Sequence, residues 1–360
     1  MRVLIVARPG VGGVARVLEA AFRRLPQAGI TGTAVLSGLE GTEMLDVASK
    51  HGWDVVRLDM KREVRFVSDM LALLKLRRRF SGHDLVHAHA AKAGALARIA
   101  RPRMPVVYAP HGFYFTYFEE GSREAGKYLS LEKRLAPGTH TLHCVSESER
   151  DVAVRHGLID EADAVVLPNP IPRRRADAPK APPPHAERIV LMVARLAEPK
   201  DPLTYVRAAG LADPSLNARF LLVGEGPLLE ACRTEAAKLP PGRVVFVPAA
   251  ADVRTLLAGS RVAVLASRSE AMPLFLLEAL AEGVPAVATD LPGSREASGG
   301  AALYVPAGDP AALAAQVTRV LRDEALRRRL SKAATERAPL FDEDRWLAGL
   351  VAMYGRTLSR

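Results

Sequence analysis

The chain is short of several features that would each announce a class of function. Of its 360 residues only two are cysteine, Cys144 and Cys232, far apart in sequence. That excludes a disulfide framework and a Cys-based metal site, and it makes a reduced, cytoplasmic setting the default. Aromatic residues make up 5% of the chain. No recognised reading element accompanies them, so nucleic acid is not an expected partner. No apolar stretch is long enough to span a bilayer. The opening strand from Met1 to Ala7 reaches Pro9 and Gly10 before any long apolar region forms, which does not fit a signal peptide.

What is present suits two domains of ordinary size. Apolar residues are 49% of the total, enough for packed cores, and the formal charge is +10. A basic balance favours acidic partners such as nucleotide phosphates or an anionic membrane surface. Part of the excess is arginine in a chain also rich in alanine and proline.

Short apolar runs alternate with helical patterns on both sides of a Pro-, Ala- and charge-rich stretch, Arg173 to Pro184. Such a stretch cannot build a core and reads as a linker. The expected organisation is an α/β chain of two Rossmann-like domains. Residues 1–168 form the first and 169–186 the linker. Residues 187–341 form the second, and a terminal helix at 342–360 packs back on the first. In the first half, Val3 to Ala7 reads as a buried parallel strand. It leads into a Gly-rich turn and a helix through about Leu25. Gly10, Gly12 and Ala15 fit a loose dinucleotide fingerprint, with Gly13 beside them, but the second strand ends at Ser37 rather than an acid. A tight turn without a ligand is the alternative.

Phe66 to Phe80 reads as an amphipathic helix with Met70, Leu71, Leu73, Leu74 and Leu76 apolar. Lys61, Arg62 and Arg65 precede it, and Lys75, Arg77, Arg78 and Arg79 lie at its end. These cations complement the helix dipole; the functional alternative is peripheral docking on an anionic membrane. His87 and His89 alternate on a strand and so face one way, but further zinc ligands at usual spacing are missing. His111 follows another strand, and Ser146 reads as a helix N-cap. Asp309 to Leu330 reads as helical. Asp342, Glu343 and Asp344 read as an acidic first turn of the terminal helix rather than a metal site.

The second half carries the densest signal. Arg195 and Lys200 share the loop after the strand Ile189 to Ala194, a sensible clamp for a diphosphate. Phe220 to Val223 leads into the turn at Gly224, and Val244 to Val247 ends at Pro248. Strand Arg261 to Ala266, a polar loop with Glu270, a helix from about Pro273 to Glu282, a stop at Gly283 and strand Ala286 to Thr289 make one β-α-β unit. A helix start at the carboxyl end of a parallel strand favours a phosphate. Ionised carboxylates such as Glu270 and Glu278 accept hydrogen bonds from sugar hydroxyls. Taken alone, the pair also fits an ordinary surface helix.

The segment Ser269-Glu270, the apolar run Leu274 to Leu277, Glu278-Ala279, Gly283-Val284-Pro285 and Ala288-Thr289-Asp290 resembles the E-x7-E segment of retaining glycosyltransferases of the GT-B fold, family 4. The resemblance implies a cleft between two Rossmann-like domains that binds a nucleoside diphosphate sugar, with UDP favoured and GDP as a second option. It implies that Glu270 meets hydroxyls of the transferred sugar and Glu278 the ribose. Arg195 and Lys200 meet the β-phosphate, and the loop at Pro248 packs on the base. Gly224 and the backbone at Met272, Leu274 and Phe275 contact the donor. In the first domain, Gly12 and Gly13 lie near the phosphates and acceptor, and His111 lies beside the sugar. It further implies retention of configuration, no bound metal and no bound cofactor. The acceptor is a glycan or a lipid-linked hydroxyl, which places the enzyme in the cytoplasm or peripherally on the inner face of the cell membrane. The chain departs from the pattern at Asn169-Pro170, where Asn-Gly is usual, and at Ala194, where Gly is usual. A sugar-nucleotide epimerase of the same fold and a non-catalytic binding protein are the alternatives.

Overall fold

The computed structural model describes residues 1–8, 12–39, 42–61, 65–100, 102–171, 188–249 and 252–360. Gly10 of the fingerprint, Arg62 and the linker stretch Arg173 to Pro184 lie outside the described residues. The chain divides into two compact units. One comprises Met1–Pro170 with Glu343–Arg360, the other Ile171–Asp342.

In the first unit the described strands are β1 (Arg2–Ala7), β2 (Thr31–Leu36), β3 (Asp54–Arg57), β4 (Leu85–His89), β5 (Val106–Ala109), β6 (Thr141–Cys144) and β7 (Ala164–Val166). They form one sheet in the order β3-β2-β1-β4-β5-β6-β7. All the pairings are parallel, with Ile5 facing Ala34 on one side and His87 on the other. Val3 to Ala7 are fully buried, as a strand covered by helices on both faces requires. The order reverses between β1 and β4, because the chain winds first to one side of β1 and then to the other. Open α/β sheets bind ligands outside the carboxyl ends of their strands at such a point.

The second unit repeats the plan with β8 (Arg188–Val193), β9 (Ala218–Val223), β10 (Val244–Val247), β11 (Val262–Leu265), β12 (Ala286–Thr289) and β13 (Ala302–Val305). Their order is β10-β9-β8-β11-β12-β13, again parallel. The reversal falls between β8 and β11. The core here gathers Val190, Met192, Phe220, Leu222, Val264 and Val287, all fully buried.

Helix Glu343–Leu358 belongs to the first unit. Its acidic start is spent on ion pairs, Glu343 with Arg23 at 2.5 Å and Asp344 with Arg24. Its apolar residues Trp346, Leu350, Met353 and Tyr354 are buried.

Two expectations need correction. The helix Phe66–Arg77 is not amphipathic in the ordinary sense. Leu73 and Leu76 face the core, whereas Met70, Leu71 and Leu74 point to solvent at 43%, 55% and 48% exposure. Apolar residues occupy both its sides. The helical stretch expected from Asp309 is two helices, Pro310–Arg322 and Glu324–Arg337. Asp323 between them is extended, and its carboxylate accepts from the Leu326 amide as the N-cap of the second. Several of the aromatics lie together in the first unit. Phe113, Tyr114, Phe115, Tyr117 and Phe118 fall within six residues. They pack largely on one another and on Tyr128, Phe118 stacking on it at 5.5 Å.

Candidate functional site

In the second unit the residues singled out in the sequence stand on loops after consecutive strands of one sheet edge. Arg195 and Lys200 follow β8, Gly224 follows β9, Pro248 follows β10, and Glu270 to Phe275 follow β11. The loops after β8 and β11 flank the reversal in strand order, and one ion pair bridges them. Lys200 Nζ lies 2.5 Å from Glu270 Oε1, and Ser267 Oγ donates to the same oxygen at 2.6 Å. The Glu270 side chain is 9% exposed and that of Lys200 33%. An ammonium has three donors and Glu270 takes one.

Close backbone contact holds this ring of loops. The Leu196 amide donates to the Glu225 carbonyl and the Leu228 amide to that of Leu196. The Gly224 amide donates to Val247, and that of Arg268 to Pro199. Glycines at the points of closest approach permit it. Gly224 has φ +136°, and a Cβ there would sit 2.0 Å from the Ala194 carbonyl oxygen. A Cβ on Gly293 would sit 2.3 Å from the Ala271 oxygen and 2.6 Å from that of Glu270. Helix Pro292–Ser298 therefore rests directly on the Glu270 backbone.

Asp201 completes the turn after Lys200. It is non-glycine at φ +43°, its carboxylate caps helix Pro202–Leu211 through the Thr204 amide, and Arg268 lies 2.8 Å from it. Asp201, Ser267 and Arg268 were not foreseen. Asp201 followed by Pro202 was a readable N-cap signal; nothing in the sequence pairs residues 201 and 268.

Helix Leu274–Ala281 starts one residue later than expected. Pro273 is its N-cap and brings no capping side chain. The first-turn amides of Leu274 and Phe275 are thus of the kind that need an external acceptor, at the positive end of the dipole. Met272 and Phe275 are buried, Leu274 is half-buried, and Arg195 and Pro248 are exposed. Glu278 is buried at 8% exposure, a position that calls for hydrogen-bond donors or opposite charge around the carboxylate.

In the first unit, exposed Gly12 is the N-cap of helix Gly13–Arg24 and has φ +132°. A Cβ there would meet nothing within 4 Å, so the constraint is conformational. His111, after β5, holds the left-handed region at φ +54°. Glu149 secures the adjoining backbone. Its two carboxylate oxygens accept from the Gly112 amide at 2.5 Å and the Val145 amide at 2.7 Å, while Ser146 Oγ caps the Glu149 amide. Ser146 and Glu149 carry the S-x-x-E spacing of a capping box, which was the available signal for Glu149.

Four histidines, two from β4, one from β6 and one from this loop, form two hydrogen-bonded series. The Leu167 carbonyl can only accept, so His143 Nε2, 3.0 Å away, donates to it. His143 Nδ1 therefore accepts from His87 Nε2 at 3.4 Å, and His87 Nδ1 accepts from the Tyr354 hydroxyl at 2.7 Å. In the second series His89 Nδ1 lies 2.9 Å from His111 Nε2. His89 Nε2 is buried with no hydrogen-bond partner among the described residues. A bare lone pair there costs less than a buried unsatisfied N–H, so the proton belongs on His89 Nδ1 and points at His111. Burial, reinforced by His143, holds His111 down to about 3. It is a neutral imidazole at physiological pH. The rings bond in two pairs rather than converge. Among the described residues no group of three or more His, Cys, Asp or Glu is placed to hold a metal ion.

Residues 187–323 match the family model described as glycosyl transferases group 1, and residues 11–175 match that of glycosyltransferase family 4. The chain is 28% identical over 256 residues to the Escherichia coli UDP-Gal:alpha-D-GlcNAc-diphosphoundecaprenol alpha-1,3-galactosyltransferase, a match that covers 65% of each chain. It is 28% identical to the N-acetyl-alpha-D-glucosaminyl L-malate synthase of Bacillus anthracis, over 70% of this chain and 69% of that one. The crystal structure of Anabaena Alr3699/HepE in complex with UDP and glucose superposes with a TM-score of 0.83. It covers 99% of this chain and 100% of that one at 17% identity, a likeness of GT-B fold.

Proposed function

Since the chain is a glycosyltransferase of group 1, family 4, we infer that it moves a sugar from a nucleoside diphosphate to an acceptor hydroxyl, with retention, in the assembly of a glycoconjugate. The observation that carries the assignment of the site is the Lys200–Glu270 pair across the strand-order reversal of the second sheet. The second unit holds the donor, and the first takes the acceptor.

The chemistry requires negative charge on the leaving diphosphate to be met as the glycosidic bond breaks. Lys200, Arg195 and the uncapped start of helix Leu274–Ala281 supply fixed positive charge and N–H donors for it. A phosphate draws on the ammonium donors of Lys200 that Glu270 does not use. Lys200 and Ser267 hold one Glu270 oxygen, and the carboxylate's second oxygen accepts from hydroxyls of the sugar. Glu278 serves the ribose. His111, neutral and fed a hydrogen bond by His89, acts as a hydrogen-bonding group toward the sugar and not as an acid. In an internal-return mechanism the leaving phosphate takes the acceptor proton, so no enzymic base is needed.

The donor is a UDP sugar. The E. coli relative is named for UDP-Gal, and the Anabaena structure contains UDP. The acceptor is lipid-linked, as the diphosphoundecaprenol in the relative's name suggests. Peripheral action at the inner face of a membrane fits such an acceptor. No helix among the described residues is long and apolar enough to cross one.

The test is UDP release from UDP sugars with a lipid-linked acceptor, in Lys200→Ala and Glu270→Ala. Each substitution lowers turnover by about a hundredfold or more, the scale of losing a group that meets developing charge, while the melting temperature is kept. Wild-type rates in both variants would refute the site.

A further inference from the structure

Helix Phe66–Arg77 carries an apolar row that folding does not use. Val67, Met70, Leu71 and Leu74 are spaced i, i+3, i+4 and i+7, so they form one stripe. Their exposures are 71%, 43%, 55% and 48%. The opposite side, with Ala72, Leu73 and Leu76 at 4%, 8% and 0%, already fills the core beside helix Ala90–Ala100. A solvent-facing helix surface is ordinarily polar. Here one isolated apolar residue would need no explanation, but four in a row do.

The charges around the stripe decide what covers it. Arg78, four residues past Leu74, continues the row, and Lys75 and Arg77 project on its two sides; all three are exposed. The helix has a single acid, Asp69. It lies toward the buried side and is paired with Lys92 at 2.5 Å. The outward face is thus an apolar strip with cationic borders and no carboxylate of its own. That is the profile of a helix lying in a bilayer interface, apolar side chains at acyl depth and long cations reaching back to lipid phosphates. We propose that this face docks the first unit on an anionic phospholipid surface. The inference rests on the functional reading only for its purpose, which is to bring the chain to a lipid-linked acceptor.

The full chain is tested by co-sedimentation with phosphatidylcholine vesicles, with and without phosphatidylglycerol, at low salt. The wild type partitions onto the anionic vesicles and much less onto the neutral ones. Leu71→Gln with Leu74→Gln lowers partitioning by about tenfold or more. Lys75→Gln with Arg78→Gln lowers it about fivefold per charge removed. Both variants keep the wild-type melting temperature and its rise with UDP, since no altered side chain is in the core or near the donor loops. Equal partitioning of wild type and the leucine variant would overturn the proposal. So would a wild-type dimer that the leucine variant converts to monomer without any vesicle binding, because the stripe would then belong to a second copy. Vesicle binding by a chain that turned over no UDP sugar would sustain this inference and strike the functional reading; turnover by a chain blind to vesicles would do the reverse.

Discussion

Acidification from about pH 7.5 to about pH 5 will destabilise the first unit through its buried imidazoles. An unfolded histidine titrates near 6.5. Burial holds His143 down to about 4; burial, and next the neighbouring imidazoles, hold His111 down to about 3 and set His87 and His89 well below the ordinary value. The folded value lies below the unfolded one, so in the window between them the unfolded chain binds a proton that the folded chain does not. Stability is then complete above about pH 6.5 and falls as the pH drops toward the folded values, by about 1.4 kcal/mol per pH unit for each histidine. Down to about pH 5, His111 and His143 each lose about 2 kcal/mol, roughly 4 kcal/mol together. His87 and His89 add to it. A domain stable by about 5–15 kcal/mol has little reserve against that. Urea unfolding followed by tryptophan fluorescence measures it directly. Both tryptophans, Trp53 and Trp346, are buried in the first unit, so the signal excludes the second. A transition midpoint that stays constant across this window, or resonances of His111 and His143 titrating near 6.5 in the folded chain, would refute the argument.

Two further substitutions probe the packing. Tyr354→Phe removes the donor to His87 Nδ1 and leaves a buried acceptor unpaired, lowering stability by about 1–3 kcal/mol in the same urea assay; a smaller effect would mean that the hydroxyl was not the donor. Gly224→Ala drives a methyl against the Ala194 carbonyl and strains a positive φ, so it displaces the Arg195 loop. It abolishes the UDP-induced rise in melting temperature by thermal shift while leaving the first unit's tryptophan transition in place. Retained UDP binding would show that the loop tolerates the displacement.

The strands were legible because parallel strands buried on both faces appear as unbroken apolar runs, as at Val3 to Ala7 and Phe220 to Val223. The Glu270 loop and its helix were legible because turn and cap residues bracket them. Contacts between distant loops were not. Lys200 and Glu270 were assigned to different parts of one ligand, and only the folded chain brings them together across 70 positions. The coupling of His89 to His111 and the hold of Glu149 on Gly112 likewise depend on which strands become neighbours. Periodicity also failed at helix Phe66–Arg77. It reports that apolar residues recur, but a helix apolar on two sides does not say which side the protein covers. The break at Asp323 was missed because an acid inside a helical pattern looks like any exposed residue until its carboxylate is seen capping the helix that follows.

The placement of helix Glu343–Leu358 bears on how the molecule is made. Its Tyr354 and Thr357 bond to His87 and Thr141, residues synthesised long before. The second unit, by contrast, is one uninterrupted stretch of chain. During translation the earlier-made half must therefore wait with one face of its sheet incomplete until the later-made half has emerged and residues 343–358 follow it. The order of synthesis and the order of completion are opposite, and the nascent first unit is the part that a chaperone would be called on to shield.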